Sequence, residues 1–281
     1  MIKKLLTIKK LFFENTLVFI ICLIIFNLTI IKIPFHRFFD FFLPYDISIN
    51  LSKVVQSLLI ILISIFFIKS FSLNDFAGIK LWRIKNATLL AIPFIYPMIL
   101  GYSNLSLLNK LQIDFNSILI VLAALIAKGM AEEISFRGLL QSYLLKKFAQ
   151  QKSVLGIVIL TSIIFALMHI INIRRYSFVD IINQVIIAFF FGVFFGAFLL
   201  RTRNIYIIGI IHGLINFIFG IKTIFTHDIS SNDNYIYSYS EIIFEVFKIT
   251  LLFSPLLVIG ILLLKGISKF EFTKVENNNS K

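Results

Sequence analysis

The chain has 281 residues, 59% of them hydrophobic and 15% charged, with a mean hydropathy of +0.95, too apolar for a water-soluble domain of this length. Its formal charge of +13 invites a nucleic-acid reading, but the basic residues punctuate apolar runs and form no stripe interleaved with aromatics, so nucleic acid is excluded as a partner and the lipid bilayer is the solvent. Short alternating strands of the β-barrel type are absent, and the single cysteine, Cys22, has no intrachain partner and is read as packing.

The predicted elements are all helices. Lys3, Lys4, Lys9 and Lys10 precede a first apolar segment at 16–33, which resembles a signal peptide but lacks a small-residue cleavage site and is therefore read as a retained span. Further segments follow near 54–71, 87–102, 117–145, 153–171, 180–200, 205–225 and 243–264. The expectation is an all-α, polytopic transmembrane helix bundle of about eight spans, each long enough to cross roughly 30 Å of hydrocarbon. Pro93 and Pro97 are expected to kink the third helix and Pro255 the last. About 18 of the 27 basic residues fall on the inner side when the N-terminus is inside. That asymmetry predicts an integral membrane protein with both termini cytoplasmic, an external loop at 228–239 and a polar tail at 276–281. Three regions are expected: 1–86 as an N-terminal transmembrane region, 87–225 as the functional bundle, and 226–281 as the outer loop, last helix and tail.

Ionisable groups at membrane depth are costly and mark sites of function. Lys128, Glu132, Glu133 and Arg137 interrupt the fourth segment. Glu133 and Arg137 share a helix face at i,i+4, whereas Glu132 points about 100° away and can meet another partner. A buried ion-pair network that fixes helix packing is the structural alternative for this cluster. His169 ends the fifth segment, and His212 lies in the seventh with Asn216 one turn later on the same face. A carboxylate and a neutral imidazole can share a water, the carboxylate taking its proton. A histidine N–H and an asparagine amide can donate to a carbonyl oxygen that becomes an oxyanion. His36 and His227 are read as solvated loop residues. A triad of His227, Asp228 and Ser230 or Ser231 is rejected, because the loop offers no scaffold to hold it.

The runs Glu132-Glu133-Ile-Ser-Phe-Arg137, Phe165-Ala-Leu-Met-His169 and His212-Gly-Leu-Ile-Asn216 occur in order on three predicted helices. In this the chain resembles the CPBP group of intramembrane proteases, whose signature is EExxxR, FxxxH and HxxxN. The group includes type II CAAX prenyl endopeptidases and bacterial homologues linked to bacteriocin processing or self-immunity. The resemblance covers roughly 87–225. It implies an endopeptidase that hydrolyses a membrane-associated, hydrophobic or lipidated peptide, with Glu132 as general base, His169 orienting the water, His212 and Asn216 as oxyanion donors, and Glu133 and Arg137 in support. The group is often described as metalloproteases, and Glu132, His169 and His212 are the zinc set if a metal is used. The chain lacks HExxH, and a metal-free mechanism is favoured. The competing reading is a non-catalytic immunity or regulatory protein that binds a peptide or partner. A proton-coupled transporter is disfavoured, because the two halves show no inverted repeat.

Overall fold

A computed structural model describes residues 11, 12, 14–79, 88, 90–111, 113–148, 150–174, 176–226 and 238–267. The basic N-terminal residues, the 228–237 stretch with His227 and Ser231, and the polar tail lie outside the described residues. Among the described residues the structure is helical, without strands. Its helices are α1 (Thr16–Ile30), α2 (His36–Phe39), α3 (Tyr45–Ser70), α4 (Ile95–Lys110), α5 (Phe115–Glu133), α6 (Ser142–Phe148), α7 (Val154–Leu167), α8 (Phe178–Thr202), α9 (Ile205–Thr226) and α10 (Tyr239–Leu264). A π-helical segment, Ile134–Gln141, joins α5 to α6, and a 3-10 segment, Met168–Arg174, extends α7.

Each of the eight apolar segments read from the sequence falls on a helix. Five of these, over Tyr45–Ser70, Val154–Ile173, Phe178–Thr202, Ile205–Phe225 and Tyr239–Leu264, are long and apolar enough to cross a membrane. Two shorter apolar helices cover Thr16–Ile30 and Ile92–Leu108. Large apolar side chains such as Leu17, Leu62, Ile99, Phe244 and Leu251 are more than half exposed. Helices satisfy their own backbone polar groups, so they can present such side chains to lipid at no hydrogen-bonding cost. Pro93 lies in a 3-10 turn at Ile92–Phe94, between helical Thr88 and Leu90 and the start of α4, and Pro97 lies in the first turn of α4, which reaches Lys110. A proline in a first turn lacks only an N–H that would have no intrahelical partner. Pro255 lies inside α10 without a break in the helix.

Polar caps set the helix starts. The carboxylate of Asp114 accepts from Ser117 N–H at α5, Ser153 from Gly156 at α7 and Ser177 from Asp180 at α8, while Ser238 and Glu241 form a capping box at α10. The centre of the bundle is α8, buried continuously from Phe190 to Leu200 and packed between α7 and α10. On the other side α5 packs against α9 and α3. The N-terminal helix is tied in by Phe19, which meets Tyr143 with ring centroids 4.4 Å apart, and by buried Asn27, which donates to Ser135 Oγ at 3.0 Å. His36, expected to be solvated, is half-buried and packs edge-on against Tyr45.

Candidate active site

The site is built where α5 and α9 approach almost backbone to backbone. A Cβ added at Gly213 would stand 2.4 Å from Ile126 Cα, one at Gly129 would stand 2.5 Å from Gly213 N, and one at Gly209 would meet Met130 Cα at 2.9 Å. Gly209 and Gly213 thus form a small-xxx-small seam of the kind that lets membrane helices close. The pairing of Gly209 with Met130 and of Gly213 with Ile126 makes the two helices antiparallel. His212, next to Gly213, is carried against the end of α5 that bears the two glutamates.

There one imidazole meets both. His212 Nδ1 lies 2.7 Å from Glu133 Oε1, and Nε2 lies 3.4 Å from Glu132 Oε2. A carboxylate can only accept, so Nδ1 donates its proton to Glu133. Arg137 Nη1 donates to the same Glu133 oxygen at 3.1 Å. Glu133 and Arg137 are essentially inaccessible, at 0% and 2% exposure, whereas the Glu132 side chain keeps 23%. Sequence spacing foresaw the Glu133–Arg137 pair and the separate direction of Glu132. The common partner of the two glutamates is found only in three dimensions. Lys128 Nζ approaches Glu132 Oε1 at 3.7 Å from the more exposed side. Two carboxylates are therefore matched by two cations, as burial of charge requires.

The second motif enters through α7. Arg137 stacks its guanidinium on the Phe165 ring at 3.9 Å, and the edges of His169 and His212 meet the same ring with centroids 5.1 and 6.0 Å away. Phe195 of α8 closes the other side of His212 at 5.4 Å. Phe165 and Phe195 were not singled out from the sequence as site residues. Among 33 phenylalanines no local signal marks them, although Phe165 opens the FxxxH run. His169 Nδ1 is 3.2 Å from the carbonyl of Phe165. That carbonyl can only accept, so Nδ1 carries the proton and, in the neutral ring, Nε2 presents a lone pair. Glu132 lies within electrostatic reach of both His169 and His212. Asn216 is half-buried one turn beyond His212, and its amide makes no hydrogen bond to a described residue.

The wide π turn starts at Ile134, directly after the glutamate pair, and all eight of its residues are buried. Such turns recur at functional sites, and regular α-helix had been expected here. Glu133 Oε2 and Arg137 Nη2 have no hydrogen-bond partner among the described residues. The proposed zinc set fits only in part. Glu132 and His212 face one another as two ligands would, but among the described residues no three His, Cys, Asp or Glu side chains gather closely enough to hold a metal ion.

The family model for "Type II CAAX prenyl endopeptidase Rce1-like" matches residues 114–218, from the cap of α5 to just past Asn216. No curated protein and no solved structure matches the chain. The matched segment contains all three motifs and every residue that meets at the glutamate–histidine cluster. Over residues 114–218 this chain is thus similar to the Rce1-like type II CAAX prenyl endopeptidases, in agreement with the group that the three motifs resemble.

Proposed function

We propose that this protein is an intramembrane endopeptidase that hydrolyses a peptide bond in a membrane-associated, hydrophobic or lipidated substrate. The observation that carries the reading is the meeting of Glu132, Glu133 and His212 from two helices, inside the segment that matches an endopeptidase family. In the proposed mechanism the partly exposed Glu132 takes a proton from a water that His169 Nε2 orients, and the resulting hydroxide attacks the scissile carbonyl. His212, fixed by its Nδ1–H on Glu133, and the unengaged Asn216 amide are the donors to the developing oxyanion. Glu132 then returns its proton to the leaving amine. Glu133 and Arg137 hold the His212 ring at the required angle, a positioning role for the buried pair. Water activation without a metal is part of this proposal.

The substrates we propose are prenylated proteins of the CAAX type or peptide precursors such as bacteriocins, entering from the bilayer. The basic-residue asymmetry supports a plasma-membrane orientation with both termini cytoplasmic. The test compares cleavage by the intact protein and by Glu132→Gln, which keeps size and polarity but removes the base. Cleavage is expected to fall by at least about 10²-fold with the protein still folded. Full cleavage by Glu132→Gln removes this residue from the mechanism. Cellular protection that persists without cleavage makes an immunity protein the better reading.

A further inference from the structure

Beyond His169 the same face of α7 continues into the 3-10 segment. His169, in the 3-10 segment, reaches back to the carbonyl of Phe165 on α7, and within Met168–Arg174 residues three apart eclipse, so Asn172 stands over His169. Across from it, Gln184 lies on α8 eleven residues before Phe195, hence on the α8 face that meets His212, about 16 Å nearer the start of that helix. Asn172 Nδ2 donates to Gln184 Oε1 at 2.9 Å, and both side chains are partly buried. One hydrogen bond between two primary amides leaves an acceptor, Asn172 Oδ1, and a donor, Gln184 Nε2, on the joined pair. Neither atom is bonded to a described residue. Helix α7 runs antiparallel to α5, with Phe165 beside Arg137 and His169 near Glu132. The amide pair therefore lies past Glu132 on the Lys128 side, the side on which Glu132 is exposed and Asn216 stands.

An open acceptor beside an open donor is the complement of one residue of an extended chain, whose N–H and C=O point to the same side. We propose that Asn172 and Gln184 form a main-chain clamp that binds the backbone N–H and C=O of one residue of an extended substrate, about 16 Å along α8 from the level of His212. This deepens the proposed endopeptidase reading and rests on it. An amide pair reads backbone and not side chain, so the clamp selects substrates for being unfolded and strand-like at that point, whatever their sequence. A helical segment already spends its N–H and C=O groups internally and cannot engage it.

The experiment uses the full chain in nanodiscs with a fluorogenic peptide ending in a farnesylated Cys-aliphatic-aliphatic-X sequence. Asn172→Ala and Gln184→Met are each expected to raise KM about 3- to 10-fold, the worth of one hydrogen bond, with kcat changed far less. A series of the same peptide, N-methylated at one backbone nitrogen at a time, needs no variant and so is independent of folding. One position should weaken the wild-type reaction by a similar factor, and Asn172→Ala should lose nothing further with that peptide. Wild-type KM in both variants, or equal losses for Asn172→Ala with methylated and unmethylated peptides, overturns the clamp and leaves the endopeptidase reading standing. If the wild-type chain does not cleave the probe and Glu132→Gln does not bind it, the two readings fall together.

Discussion

Replacing Gly213 by alanine adds a single methyl group where the structure has no room for it. The new Cβ would lie 2.4 Å from Ile126 Cα and 2.8 Å from the backbone N of Ile126 and O of Leu125. These are backbone atoms, so no rotamer change relieves the clash. Carbon atoms pack at about 3.5 Å or more, so α5 and α9 must part by roughly 1 Å. His212 Nδ1 sits 2.7 Å from Glu133 Oε1, and the same displacement takes it to about 3.7 Å, beyond hydrogen-bonding range. A lost bond to a buried carboxylate costs about 1.5–3 kcal/mol. Misplacement of a reacting group by about 1 Å costs on the order of 10²-fold in rate. Gly220→Ala on the same helix is the control, since its Cβ meets only the flexible end of Ile224, at 2.9 Å. The assay pairs thermal unfolding in detergent with peptide cleavage. Gly213→Ala should lower both, and Gly220→Ala neither. Wild-type stability and cleavage in Gly213→Ala would refute the claim that this glycine seam sets the geometry of the histidine.

Arg137→Ala should reduce the yield of folded protein, because it strips a buried carboxylate of its cation at a cost of about 3–5 kcal/mol; detergent-solubilised expression measures it, and a normal yield counts against the pairing. In contrast, Asn216→Ala should fold normally and lose on the order of 10²- to 10³-fold in turnover with little change in substrate binding, read from kcat and KM separately. Exhaustive chelation should leave cleavage intact, and loss of activity that zinc restores stoichiometrically would make Glu132, His169 and His212 ligand candidates again.

Much of this protein is written locally. The composition requires a membrane, the lengths of the apolar runs locate the helices, and the i,i+4 spacing of Glu133 with Arg137 and of His212 with Asn216 assigns each pair to one helix face. Each of these is a property of one segment, fixed by the 3.6-residue period of the helix. A proline within an apolar run gives the same local signal whether it kinks a helix or opens one, so the start of α4 after the 3-10 turn at Pro93 is read only from the structure. Helix-to-helix contacts have no such period. That one imidazole would face Glu132 and Glu133 together, that Phe165 would carry the Arg137 guanidinium, and that Asn172 would meet Gln184 depend on how closely α5, α7, α8 and α9 pack and at what register. The sequence by itself determined a helical membrane protein with three polar motifs. Only the tertiary structure decided which groups touch, because the glycines that allow α5 and α9 to close act through the absence of a side chain, which leaves no hydrophobic or charge pattern to read.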